Sequence, residues 1–173
     1  HMMLKEIHDQ PTSLSNALSG RISADGLGTE LSGFDLSPDE IRNVERINLV
    51  ACGTAYYASE IISSYIRKFT SIRSEAFIAS EFPAKSVCSP NTLTIGVSQS
   101  GETKDTLDAL FEAKKFGSHI SSFCNVIGST MARLTGNGAY LHAGPEYAVA
   151  STKVFTNMVA VGLLFYLGDK YIF

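Results

Sequence analysis

Apolar residues cluster in short runs at 47–51, 76–79, 92–97 and 120–126, bounded by Gly, Ser, Pro and Asn. Runs without strict alternation fit strands buried on both faces, as in a parallel sheet. Between them, apolar residues recur every three to four positions: Tyr57, Ile61, Ile62, Tyr65, Ile66 and Phe69, then Leu107, Leu110 and Phe111. That spacing predicts helices. Met131 and Leu134 predict a short further helix, 139–142 a fifth strand, and the stretch after Ser151 a long apolar helix to about Leu167. Strand and helix alternate, which predicts an α/β fold: a doubly wound three-layer sandwich around a five-stranded parallel sheet.

The first 44 residues read differently. Met3, Leu4, Ile7, Leu14 and Leu18 fall on one helical face that breaks or kinks around Pro11 and ends at Gly20. Polar residues and glycines then give a loop over 21–33. Ser37-Pro38-Asp39-Glu40 combines an N-cap serine, proline at the first helical position and a glutamate placed for a capping box, so a short helix to about Val44 is expected. The organisation is a helical lead-in, 1–44, and a single domain, 45–173. His1-Met2 ahead of Met3 looks like a cloning scar, and the chain is then expected to be cut from something longer.

In a doubly wound sheet, ligands bind beyond the carboxyl ends of the strands, where the winding reverses. Three turns meet that condition: Cys52-Gly53-Thr54-Ala55, Ser98-Gln99-Ser100-Gly101-Glu102-Thr103 and Val149-Ala150-Ser151-Thr152. All are rich in small and hydroxyl residues. The second lies at a strand-to-helix turn, where unpaired backbone N–H groups and the helix dipole favour an anion. Ser, Thr and Gly are also ordinary cap and turn residues, so one such loop alone means little. Three at one sheet edge point to a polar, phosphorylated ligand.

Composition narrows the field. Charged residues make up 18% and the formal net charge is -3, which leaves no basic patch for a phosphodiester backbone and argues against nucleic acid. Cys52, Cys88 and Cys124 are odd in number, widely spaced and not clustered with histidine. They argue against a disulfide framework and a metal site, and for a reducing compartment. The stretch 158–167 is too short to span a bilayer and no signal pattern is present, so a cytoplasmic protein that avoids membranes is expected.

Other chemistries fit poorly. The first turn carries Gly53 alone where a dinucleotide fingerprint needs three glycines, and Gly101 precedes Glu102 where a nucleotide-triphosphate loop needs Gly-Lys-Ser/Thr. Gly96-Val97-Ser98-Gln99-Ser100 approaches a nucleophile elbow, with His119 at the start and His142 at the end of a strand as nominal bases, but Ser100 replaces its second glycine. Glu146 and Lys153 flank the third turn as a nominal acid/base pair. The plainer expectation is a loop carboxylate and a solvated first-turn lysine. Glu102 is expected to complement the dipole of its own helix, and Cys52 to be a buried small hydrophobe.

Taken together, the three turns resemble the sugar isomerase (SIS) family. Within it they are most similar to the first of two SIS halves in the isomerase domain of the glutamine:fructose-6-phosphate aminotransferases. Lys5-Glu6-Ile7-His8-Asp9-Gln10-Pro11, Ala79-Ser80-Glu81-Phe82 and Ala143-Gly144-Pro145-Glu146 extend the resemblance over nearly the whole chain. It implies a flavodoxin-like strand order and no cofactor. Ser98, the Gln99 backbone, Ser100 and Thr103 are then expected to hold a sugar phosphate, with Gly101 in the same loop. Cys52, Gly53, Thr54 and the loop Val149, Ala150, Ser151 would contact phosphate or sugar hydroxyls. Ala55 stands where these enzymes often have serine, which removes one possible hydroxyl contact.

The resemblance assigns ring opening, proton abstraction and a Schiff-base lysine to a second SIS half and tail. These, like the glutaminase domain, lie outside these residues, so no catalytic residue is expected here. The expected function is binding of fructose 6-phosphate or glucosamine 6-phosphate, without turnover by this chain alone. The expected partners are a second SIS half, a glutaminase domain and a second copy in a homodimer, the last argued from the apolar stretch 158–173. Two alternatives stay open: a single-SIS phosphosugar sensor, and a stand-alone dimeric isomerase with Glu146 as its base.

Overall fold

The computed structural model describes residues 1–26, 28–34 and 36–167. The lead-in holds α1 (Met2–His8), α2 (Gln10–Leu18) and α3 (Pro38–Arg42). The helical stretch breaks at Asp9, just ahead of Pro11, whose missing N–H costs nothing in a first turn. The capping box forms as expected: the Glu40 backbone N–H donates to Ser37 Oγ, and the Ser37 N–H to the Glu40 carboxylate, at 2.8 Å. The helix ends at Arg42, two residues short of the expectation.

Beyond it the order is β1 (Arg46–Ala51), α4 (Thr54–Phe69), β2 (Arg73–Ile78), a 3-10 turn (Ala79–Glu81), α5 (Ala84–Val87), β3 (Thr92–Ser98), α6 (Lys104–Lys115), β4 (His119–Cys124), α7 (Thr130–Thr135), β5 (Gly138–Tyr140) and α8 (Lys153–Leu167). The strands pair in parallel in the order β2-β1-β3-β4-β5. The winding therefore reverses between β1 and β3. β3 is buried along its whole length, as its lack of alternation predicted. β2 differs: it starts at Arg73 and alternates exposed with buried residues, because it is an edge strand with one neighbour.

Alternation within β1 sends Ile47, Leu49 and Ala51 into one core and Val50 into another. The first core lies under α2, α4 and α8, where Phe34, Phe123 and Phe165 pack with ring centroids 4.8–5.9 Å apart. The second lies under α6 and α7. Gly96 in β3 admits both helices closely, since a Cβ there would stand 2.7 Å from Leu110 Cδ1 and 2.9 Å from Met131 Sδ.

Several expected apolar faces turn out to be outer faces. Tyr57, Phe69 and Phe111 are exposed, and α4 instead buries Ala55, Ala58, Ser59, Ile62, Ser63 and Ile66. Small residues let α4 approach the sheet and α8; at Gly162 of α8 a Cβ would overlap the Ile62 side chain. In the lead-in, Leu4 and Ile7 are exposed while Glu6, Ser13 and Ala17 are buried. Ser13 donates to Asn157 Oδ1 at 2.9 Å, and Asn157 Nδ2 donates to Leu141 O at 2.8 Å, tying α2 to α8. Met158, Val161, Leu164 and Phe165 are likewise buried within this chain. The apolarity of α8 is thus satisfied internally and carries no argument for a second copy; residues 168–173 of that stretch lie outside the described residues. Among the described residues, no helix is long and apolar enough to cross a membrane.

Candidate functional site

The three turns meet at the C-terminal edge of the sheet, at the reversal between β1 and β3. A pocket of about 130 Å³ there is lined by Cys52, Thr54, Ala55, Val97, Ser98, Gln99, Thr103, Ser151 and Met158. Gly53, Ser100, Gly101, Val149 and Ala150 belong to the same loops without lining it. Cys52 is half-buried on the pocket wall rather than deep in the core, with Thr106 Oγ1 at 3.9 Å from its sulfur. Ala55 lines the pocket, so a serine hydroxyl at this position would face it.

The Ser98–Thr103 loop is held in one shape from below. The Gly101 N–H donates to Ser98 Oγ at 3.0 Å, and Ser98 Oγ lies 3.3 Å from Thr103 Oγ1. From α7, the Met131 N–H donates to Gly101 O at 3.0 Å and the Thr130 N–H to Glu102 Oε1 at 2.8 Å. Asn125 N–H reaches Gln99 O at 3.2 Å. Gly101 has φ +67, the left-handed region that only glycine enters cheaply. Glu102 therefore serves the dipole of α7, not that of α6 as expected, because it precedes α6 and its carboxylate crosses to the neighbouring helix.

Two helices begin at this pocket. α4 starts from Gly53 and α6 from Thr103, and neither N-terminus carries a side-chain cap. In α4 the Tyr56 N–H donates to Gly53 O at 3.1 Å, and the earlier first-turn N–H groups of both helices have no side-chain cap. α8 is the contrast, since Glu146 accepts from the Thr152 N–H at 2.8 Å, the Val154 N–H at 3.3 Å and Ser151 Oγ at 2.9 Å. Glu146 is thus a capping carboxylate, while Lys153 is buried and paired with Asp9 at 3.4 Å rather than solvated. Glu6, which the sequence pattern gave no reason to single out, is buried and accepts from the Tyr147 N–H at 2.6 Å and the Ala148 N–H at 3.3 Å. It pins the third loop just ahead of Val149.

The sequence profile of the SIS domain matches residues 40–168. The chain belongs to the SIS family. It is 44% identical over 170 residues to a glutamine–fructose-6-phosphate aminotransferase (isomerizing) of Clostridium acetobutylicum, covering 95% of this chain and 28% of that protein. It is 45% identical over 171 residues to the namesake enzyme of Streptomyces coelicolor, covering 96% and 28%. Among solved structures, the C-terminal domain of glucosamine-fructose-6-phosphate aminotransferase from Francisella tularensis superposes with a TM-score of 0.85 at 33% identity, over 95% of this chain and 46% of that one. The chain thus spans about a quarter of the length of these curated relatives.

Among the described residues, the lining of the SIS pocket has no carboxylate, imidazole or amine, and its one titratable side chain is the Cys52 thiol. His119 stands at the N-terminal start of β4, at the opposite edge, with Glu40 3.8 Å away. His142 lies beyond β5 rather than ending it, at φ 52, and lines a separate open cleft of about 810 Å³ with Asp9, Asn125 and Lys153. The nucleophile-elbow reading therefore has no base for Ser98. That cleft is the larger cavity, but the SIS turns and both uncapped helix starts converge on the smaller one.

The Thr130 N–H holds the Glu102 carboxyl below the usual carboxylate range. A depressed pKa contributes stability that is present above the unfolded value and lost as pH falls through the folded one. The melting-temperature difference between the parent chain and Glu102→Gln is therefore expected to shrink as pH falls below about 4.3. A difference that stays constant down to about pH 3 would show that this clasp carries nothing.

Proposed function

We propose that this SIS domain is the phosphosugar-binding half of the isomerase domain that makes glucosamine 6-phosphate from fructose 6-phosphate and glutamine-derived ammonia. The observation that carries the reading is the convergence of two helix starts without side-chain caps on one hydroxyl-lined pocket. Backbone N–H groups and helix dipoles take up a phosphate dianion, and Ser98, Ser100 and Thr103 supply hydroxyl donors around it. The sugar then extends toward Thr54 and the 149–151 loop. Val149 in that loop and Tyr147 just ahead of it are highly exposed, which fits a wall to be covered by a second SIS half of the same longer protein.

The chain binds but does not isomerise. Moving a proton between the first two sugar carbons requires a base within hydrogen-bond reach, and Glu146, the obvious candidate, spends its carboxylate on the α8 N-terminus. Glucosamine 6-phosphate at about ten times its Kd is expected to stabilise the fold by about 1.4 kcal/mol, raising Tm by roughly 3–6 °C. No fructose 6-phosphate should form. An unchanged Tm, or an equal shift in a Ser100→Ala/Thr103→Val variant, would remove the assignment; turnover would remove the claim of inactivity.

A further inference from the structure

A third polar cavity, about 560 Å³, opens at the opposite, N-terminal edge of the sheet, a strand length of about 20 Å from the SIS pocket. It is lined by Arg46, Arg73, Ser71, Ser86, Ser89 and Asn91, among others. We propose that this cavity binds a phosphate-sized oxyanion between Arg46 and Arg73.

The two arginines open β1 and β2 and are direct partners in the parallel register. Like charges at facing positions on neighbouring strands repel, so the pair is at odds with itself unless a counter-charge sits between them. The protein supplies little. Glu75 Oε2 forms an ion pair with Arg46 Nη1 at 3.6 Å, too long for a hydrogen bond, and the two side chains are 57% and 27% exposed respectively. Arg46 Nη1 itself is buried and has no hydrogen-bond partner among the described residues. Arg73 is exposed. Glu45, the carboxylate on the cavity wall, is engaged by Asn91 Nδ2 at 3.3 Å.

A buried guanidinium nitrogen without a partner is costly, and a guanidinium presents paired N–H donors in the geometry of an oxyanion edge. Two guanidinium groups with the hydroxyls of Ser71 and Ser86 offer more donors than a carboxylate has oxygens to accept, while Ser89 Oγ already lies 3.0 Å from Thr92 Oγ1. A phosphate group, free or as a monoester, matches the set. Nothing here draws on the helix starts of the SIS pocket, so either site can fail without the other.

The test is a titration of the chain with inorganic phosphate and, separately, glycerol phosphate, followed by amide chemical shifts. Saturable shifts at Arg46, Arg73, Ser86 and Ser89 are expected, and Arg73→Gln, at an exposed position that leaves the fold intact, should weaken binding about tenfold or more. Arg46→Lys, which keeps the charge but loses the fork, should weaken it as well. The tighter of the two anions identifies free or esterified phosphate as the ligand. Absence of saturable shifts with both, or affinity unchanged in Arg73→Gln, overturns the proposal.

Discussion

Gly101→Ala is expected to weaken glucosamine 6-phosphate binding by about 100-fold or more while the sheet stays folded. Gly101 sits at φ +67, where a side chain costs about 1–2 kcal/mol, and its added Cβ would overlap Ser129 Oγ and stand 2.6 Å from Ser129 Cβ. Ser129 cannot retreat freely, because it caps α7 through the Ala132 N–H. The loop must give way instead. Its displacement separates the Gly101 N–H from Ser98 Oγ and Glu102 from Thr130 N–H, the contacts that aim the loop at the pocket. Losing two charge-assisted hydrogen bonds to phosphate, each about 1.5–3 kcal/mol, lowers affinity by about 100-fold or more. Calorimetric titration measures it, with circular dichroism as the control for folding. Affinity within about twofold of the parent would mean that the loop shape does not govern the site.

The second large effect is expected far from the pocket in sequence. Glu6→Ala removes the carboxylate that holds the Tyr147 and Ala148 N–H groups across 141 and 142 residues of chain. Two donors are left without their partner, and hydrogen bonds to a charged group contribute about 1.5–3 kcal/mol each. Tm should fall by roughly 6–24 °C. Phosphosugar affinity should fall with it, because the freed segment leads directly into Val149–Ser151. Glu6→Gln, which keeps an acceptor oxygen, should recover part of both. Denaturant titration of the two variants separates the clasp from a surface contact: a surface contact would leave Glu6→Ala within about 0.5 kcal/mol of the parent.

How much of this was legible in sequence depended on whether the cause was local. β3 announces itself because a central parallel strand is buried on both faces and reads as a run of small and apolar residues without strict polar alternation. The capping box of α3 is written within four residues. The outward turn of Tyr57, Phe69 and Phe111 was not legible, because close helix packing at Gly162 and Gly96 reserves the inner faces for alanine, serine and branched residues. β2 began earlier than its apolar core because an edge strand needs only alternate residues buried. At the site, the three loops were visible as residue types, whereas the roles of Glu6, Glu102 and Glu146 were not. Each carboxylate answers to backbone N–H groups whose position only the fold determines.

The most direct measurement of the central claim follows the same glucosamine 6-phosphate titration residue by residue, through the backbone amides of the labelled chain. Saturable shifts confined to 52–55, 98–104 and 149–153 are the expected result, with the first-turn amides of α4 and α6 moving furthest. Saturable shifts clustered instead around Asp9, His142 and Lys153 in the larger cleft, with the 98–104 amides still, would contradict it.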